Sequence, residues 1–185
     1  MKYFIGFMIT ISLIIILLVV SLTGGSKKPQ VQTTKKTLVS YYNTDAKVRM
    51  TIDGPVNADQ THNIVKVTVG RDKSTYQYIN GYEGRVVNES SFNNNENSYK
   101  NFLYALARVG YASGDQSQEK ANYLGYCPLA SRYIFEVYEG SNVLQQYWTT
   151  SCQTTKTYLG NFPVTLQLFK AQIPNYSQIN QGTNI

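Results

Sequence analysis

The longest uncharged, mainly apolar run of the chain lies at its start, over the 20 positions from Tyr3 to Leu22. At about 1.5 Å of rise per residue, a helix of this length covers the roughly 30 Å hydrocarbon core of a bilayer. We therefore predict one transmembrane signal-anchor helix over residues 1–23, contacting the lipid bilayer through residues 3–22. A cleaved signal peptide is the alternative, because Thr23-Gly24-Gly25 supplies small residues at a possible cleavage position.

Residues 24–37 show no apolar periodicity. Gly24 and Gly25 end the helix, Pro29 prevents its restart, and the remaining side chains are polar. This pattern predicts a flexible polar and basic tether. A single domain over residues 38–174 and a polar tail over residues 175–185 are expected to follow it.

Apolar and polar residues alternate with period two in several short runs of the domain, which is typical of half-buried strands. The first run covers residues 48–52. Residues 63–69 and 75–79 flank a short polar turn and predict a hairpin. Gly81, Gly84 and the polar run 88–97 then break the alternation, so no strand is predicted there, and residues 93–97 are interpreted as a loop.

A second hairpin is predicted from residues 132–138 and 143–149, with Cys127 and Cys152 just outside its two strands. A turn centred between Glu139 and Gly140 places the cysteines opposite each other, and a turn one residue later offsets them by two. Either register brings their Cα atoms within the range of about 4.4–6.8 Å that a disulfide needs. The pair is expected to be a structural disulfide in an exported domain, or two buried thiols in a cytoplasmic one.

Two segments show the 3.6-residue period of an amphipathic helix. In residues 98–109 the apolar positions form one stripe, with Asn97 or Ser98 as the N-cap. Residues 163–172 form a second helix that Asn161 can cap. The predicted fold is therefore α+β, with an antiparallel sheet of about five strands and one or two helices packed on one face.

The net charge of +6 belongs to the N-terminal region. Five of the 17 basic residues precede residue 37, which leaves 12 Lys and Arg against 11 Asp and Glu, a net charge of +1. Nucleic-acid binding requires basic residues clustered on the folded domain. This distribution therefore predicts no nucleic-acid partner.

The two indications of membrane orientation disagree. Lys27, Lys28, Lys35 and Lys36 outnumber Lys2, which by the positive-inside rule would hold the domain in the cytoplasm. Three features favour export: the cysteine pair, the short leader before the apolar run, and a low content of charged residues, which make up 15% of the chain. We predict a domain anchored on the extracytoplasmic side, at a cell surface or in a periplasm.

Neither a catalytic nor a metal site is indicated by the motifs. The single histidine, His62, lies in a polar turn and is interpreted as an ordinary loop residue. No ligand spacing for zinc or calcium and no phosphate-binding glycine motif is present, so no metal or cofactor is expected. The carboxylates Glu83, Glu89, Glu136 and Asp115 show no spacing that aligns two of them for acid–base chemistry.

Tyrosine is unusually frequent, with 16 residues. Tyr111, Tyr123 and Tyr126 bracket the polar segment 112–122 and form the predicted binding surface, because tyrosine provides rigid amphipathic contact area. The alternative is that tyrosine fills a half-buried antiparallel sheet, where it is also favoured.

These observations predict a membrane-tethered extracytoplasmic binding module of a bacterial cell envelope, non-enzymatic and stapled by a disulfide. Its expected partner is an envelope protein or a cell-wall component. The alternatives are an envelope hydrolase that uses carboxylates, and an assembly subunit or protease-inhibitor-like protein. In outline the chain resembles type IV pilins and pseudopilins, but Gly24, Gly25 and Pro29 interrupt the long helix of such subunits, so no family is assigned.

Overall fold

The computed structural model describes residues 36–152 and 156–183 of the chain. The predicted transmembrane helix over residues 1–23 lies outside the described residues, as does nearly all of the predicted tether. Within the described part of the chain, no helix is long and apolar enough to cross a membrane.

Six antiparallel strands form one sheet, which confirms the predicted α+β class and adds a strand to the predicted five. In spatial order they are β4-β3-β2-β1-β5-β6, so β1 lies inside the sheet between β2 and β5. The strands are β1 Lys47–Asp53, β2 Asn63–Val69, β3 Lys73–Asn80, β4 Arg85–Asn93, β5 Arg132–Glu139 and β6 Asn142–Thr150.

The additional strand is β4, in the region where the sequence predicts a break in the sheet pattern. It pairs with β3 along the edge of the sheet, with a bulge opposite Tyr78 and Ile79. Most of its side chains are exposed, with only Ser90 and Phe92 partly covered. Because neither face is fully buried, the strand needs no apolar alternation, and the pattern that identifies the other strands is missing.

Among the described residues, three α-helices accompany the sheet: α1 Glu96–Arg108, α2 Phe162–Lys170 and α3 Tyr176–Ile179. Short 3-10 turns lie at Leu38–Tyr41, Asp59–Thr61 and Gln118–Lys120. Helix α1 begins two residues before the predicted start because Asn95 is its N-cap, with Oδ1 accepting from the Ser98 N–H at 2.9 Å. Asn161 caps α2 as predicted, by accepting from the Val164 N–H.

The two faces of the sheet differ in chemistry. On the core face, Val48 and Met50 of β1 pack with apolar side chains of α1 and α2 such as Leu103 and Phe169, all of them fully buried. Successive side chains of a strand point to opposite faces, so Arg49, which lies between Val48 and Met50, is on the other face of the sheet. This second face, here called the outer face, carries charged and polar residues and is covered only in part, by the loop before β5.

The segment predicted as a polar tail contains the short helix α3. Tyr176 and Ile179 pack against the core from it. The Tyr76 hydroxyl donates to Asn180 Oδ1 at 2.9 Å, and burial raises the pKa of Tyr76 to about 12. The residues just after Pro174 are therefore attached to the domain by both apolar and polar contacts.

The predicted disulfide between Cys127 and Cys152 is confirmed, with a Cα–Cα separation of 6.1 Å. The turn of the hairpin is centred one residue later than between Glu139 and Gly140, since Glu139 pairs with Asn142. A bulge between Val137 and Tyr138 shifts the pairing of β5 with β6 by one more residue. The cysteines therefore lie beyond the paired strands, in the loops at their ends.

Removing the disulfide should lower the stability of the domain. The bond closes a loop of 25 residues in sequence separation, and the chain-entropy model assigns about 3–4 kcal/mol to such a closure. The double variant Cys127→Ser/Cys152→Ser of the full chain should lose this free energy of unfolding in urea denaturation. Dithiothreitol should produce the same loss in the wild type and none in the variant; an equal effect of the reductant on both would contradict this assignment.

Candidate functional site

The outer face contains a small cleft of about 180 Å³ at the centre of the sheet. Side chains from four strands converge on it, and the loop before β5 forms one wall. We call it the polar cleft. Its lining residues are Arg49, Thr51, Asp53, Ile64, Lys66, Tyr123, Ile134, Glu136 and Gln146.

Arg49 and Glu136 are direct cross-strand neighbours on β1 and β5. Arg49 Nε donates to Glu136 Oε2 at 2.7 Å, and both side chains are only partly exposed. The guanidinium carbon also lies 4.6 Å from the ring centroid of Tyr138. Arg49 is therefore held in one orientation by a carboxylate and an aromatic face.

A buried charged cluster lies beside the cleft, at the end of β1. Arg132 Nη2 is 2.8 Å from Asp53 Oδ2 and also donates to the Gly54 carbonyl. His62 Nε2 is 3.0 Å from Asp53 Oδ1. Burial nevertheless raises the pKa of Asp53, because desolvation outweighs the attraction of Arg132 and His62.

His62 lies in the loop before β2, as predicted, but it is buried and has specific contacts that its polar sequence neighbours do not indicate. It is 1% exposed and its ring stacks on Tyr82 with a centroid separation of 4.1 Å. Nδ1 lies 3.0 Å from the Pro55 carbonyl oxygen while Nε2 faces Asp53. Since both nitrogens face oxygen atoms of the protein, neither is available as a base toward a substrate.

Lys66 on β2 is the cation of the cleft that lacks a close anion. It is half-buried, and none of the ion pairs among the described residues involves it. Burial lowers the pKa of Lys66 and Arg49 lowers it further, against opposing contributions from Glu136 and Asp53. The charge of Lys66 is therefore less well compensated than that of Arg49 or Arg132.

Two of the three predicted site tyrosines lie in the loop over the outer face. Tyr123 is half-buried and lines the polar cleft. Burial raises the pKa of Tyr123, with Asp53 and Glu136 contributing in the same direction. Tyr126 is also half-buried, and its ring lies 5.0 Å from Trp148 of β6. The Trp148 Nε1–H donates to the Lys120 carbonyl at 2.7 Å, which fixes the loop to the sheet.

Tyr111, the third predicted surface tyrosine, is a core residue with 1% exposure. Its hydroxyl donates to the carbonyl oxygens of Glu136 at 2.9 Å and Arg49 at 3.1 Å. It follows Gly110, which has a φ of 78° and ends α1 in a Schellman motif, with the Tyr111 N–H bonded to the Leu106 carbonyl. That motif brings the residue after the glycine onto the last turn of the helix, so the sequence contained the pattern that identifies Tyr111 as core.

A larger groove of about 480 Å³ lies at the end of the sheet where β1 begins. We call it the end groove. It adjoins the polar cleft through Arg49, which lines the cleft and stacks on Tyr138 of the groove. Its lining is Thr44, Asp45, Ala46, Lys47, Thr68, Gly70, Arg71, Asp72, Lys73, Thr75, Tyr138 and Gly140.

The described residues of the outer face include no cluster of metal ligands. In residues 36–152 and 156–183, no group of three or more His, Cys, Asp or Glu side chains is placed to hold a metal ion. Comparison of the chain with protein-family models and with curated protein sequences finds no match.

Removing the Tyr111 hydroxyl should destabilise the fold, because two buried carbonyl oxygens lose a donor. Tyr111→Phe should lower the free energy of unfolding by about 1–2 kcal/mol in urea denaturation. Tyr104→Phe is the matched control, since Tyr104 is 50% exposed and should change stability by less than about 0.5 kcal/mol. Equal effects of the two substitutions would contradict the role given to Tyr111.

Arg132→Met should leave the Asp53 carboxylate buried without its guanidinium. Breaking one side of a buried ion pair costs about 3–5 kcal/mol, which thermal and urea denaturation would measure. The control is Arg71→Met, because the ion pairs of Arg71 with Asp45 and Asp72 lie at the surface and surface pairs contribute about 0–1 kcal/mol. Similar losses in both variants would show that Asp53 does not depend on Arg132.

Proposed function

We propose that this chain is a membrane-tethered, disulfide-stapled binding module on the extracytoplasmic side of a cell envelope, and that the outer face of its sheet binds the partner. The observation that carries the proposal is the juxtaposition of the polar cleft and the end groove on one face. Their volumes are about 180 and 480 Å³, and Arg49 of the cleft stacks on Tyr138 of the groove. Helices cover the other face, so the outer face is the part of the sheet open to a ligand.

The disulfide supports the extracytoplasmic location. Structural disulfides persist in oxidising compartments and are rare in the cytoplasm. The apolar run over residues 3–22 supports the membrane tether. The expected partner is an envelope protein or a cell-wall component, in agreement with the polar side chains of the outer face and with the partly exposed Tyr123, Tyr126 and Tyr138 on it.

The contacts of the cleft favour binding over catalysis. Glu136 is held by Arg49, and Asp53 is held by Arg132 and His62. Both carboxylates of the cleft therefore have partners within the protein, which is the ordinary arrangement of structural ion pairs. Asp115 and Glu89 do not line the cleft and are bonded to Lys120 and Gln77.

One observation favours the second candidate, a hydrolase that uses carboxylates. Asp53 and Glu136 line the same cleft, and burial raises the pKa of Asp53, which is the property of a general acid. Under this alternative, Glu136→Gln should abolish any turnover of purified cell wall by the full chain, and Asp115→Asn should not. Under the binding proposal neither substitution changes such turnover.

Two measurements in intact cells test the binding proposal. A membrane-impermeant amine reagent should modify domain lysines such as Lys156 without lysis. A photo-crosslinking side chain placed at Thr68 on the outer face should give a discrete envelope adduct. The same side chain at Tyr104, on the exposed surface of α1, should not. Modification only after lysis would contradict the location, and equal adducts from both positions would contradict the binding face.

A further inference from the structure

We propose that the polar cleft binds an oxyanion group of the ligand, a carboxylate or a phosphate, with Lys66 and Arg49 as its cationic contacts. This inference rests on the proposed function and specifies the chemical class of ligand that the outer face takes. The observations that support it are a charge imbalance, a set of unused donors and the size of the cleft.

The charges around the cleft leave one cation unmatched. Asp53 is paired with Arg132, which is 2% exposed, and Glu136 is paired with Arg49. Lys66 is half-buried on the neighbouring strand β2 and takes part in none of the ion pairs of the described residues. Charged groups removed from water are normally paired. An anion in the cleft would complete the pairing.

Donors that could hold an oxyanion are present and not used elsewhere. Arg49 binds Glu136 through Nε, and no hydrogen bond to a described residue uses its two Nη groups. The Lys66 ammonium and the Tyr123 hydroxyl likewise have no hydrogen-bond partner among residues 36–152 and 156–183, and both side chains line the cleft. A carboxylate or phosphate accepts from several such donors at once, and Arg binds these groups in a two-pronged geometry.

The volumes of the polar cleft and the end groove indicate which part of the ligand each of them binds. The cleft of about 180 Å³ is smaller than typical small-molecule sites of roughly 300–1,000 Å³, whereas the adjoining end groove of about 480 Å³ lies within that range. The oxyanion occupies the cleft, and the remainder of the ligand follows Tyr138 into the end groove.

The first test measures binding of acetate and inorganic phosphate to the full chain in detergent by calorimetry. At least one anion should bind saturably to the wild type. Lys66→Met should weaken that binding at least tenfold, since a hydrogen bond to a charged group is worth about 1.5–3 kcal/mol and about 1.4 kcal/mol is tenfold. Lys156→Met, which removes an exposed lysine, is the control and should leave the affinity unchanged.

The second readout is thermal stability without ligand. Lys66→Met should raise the midpoint of unfolding, because it removes a half-buried charge that lacks a close anion and leaves an apolar side chain of similar length. Lys66→Arg should retain anion binding. If Lys66→Met fails to fold, protection of Lys66 from an amine reagent by the bound anion, read by mass spectrometry of the wild type, provides the same information.

Saturable binding of neither anion, or binding that Lys66→Met leaves unchanged, would overturn the inference. The proposed function would survive that result if photo-crosslinking from Thr68 still gave its adduct, and both would fail if it did not. Short polyglutamate and polyphosphate chains then identify the source of the oxyanion. The preferred polymer should bind more tightly than the free anion because it also contacts the end groove.

Discussion

The antiparallel pairing of β1 with β5 is the interaction on which the rest of the structure depends. It joins the N-terminal strands β1–β4 to the C-terminal hairpin β5–β6 across a sequence separation of 87 residues between Arg49 and Glu136. It also places alternate residues of both strands on opposite sides of one sheet. The core behind the sheet and the polar cleft in front of it are therefore two consequences of one strand pairing.

Periodicity alone predicted the parts of the fold whose two faces differ in environment. The strand at residues 63–69 alternates in burial as it alternates in sequence. In β5 the sequence alternates as well, but residues 134–137 are all buried, because the loop before β5 covers part of its outer face. Strand β4 was missed because both of its faces are largely exposed. Tyr111 was assigned to a surface because the helix stripe was followed only as far as Val109. Its burial depends on the left-handed turn at Gly110, which carries the chain back over the helix end.

The site was only partly predictable, since its residues come from elements distant in sequence. Tyr123 and Tyr126 were predicted as site residues from the high tyrosine content around the segment 112–122, and both lie over the outer face. Arg49, Lys66 and Glu136 each occupy the polar position of an alternating strand, where a solvated charge is the ordinary expectation. Only the strand order β2-β1-β5 brings the three together. The effects of Arg49 and Glu136 on the pKa of Lys66 therefore arise from tertiary structure and leave no local pattern in the sequence.

The bond between Cys127 and Cys152 encloses both strands of the second hairpin in one covalent ring. Arg132, Glu136 and Gln146 belong to the ring, whereas Arg49 and Lys66 come from strands outside it. Partial opening of the domain along the β1–β5 boundary would divide the cleft into these two sets of side chains. The hairpin would remain closed as a unit, and amide hydrogen exchange would report two cooperative units, with the ring as the one in which protection persists.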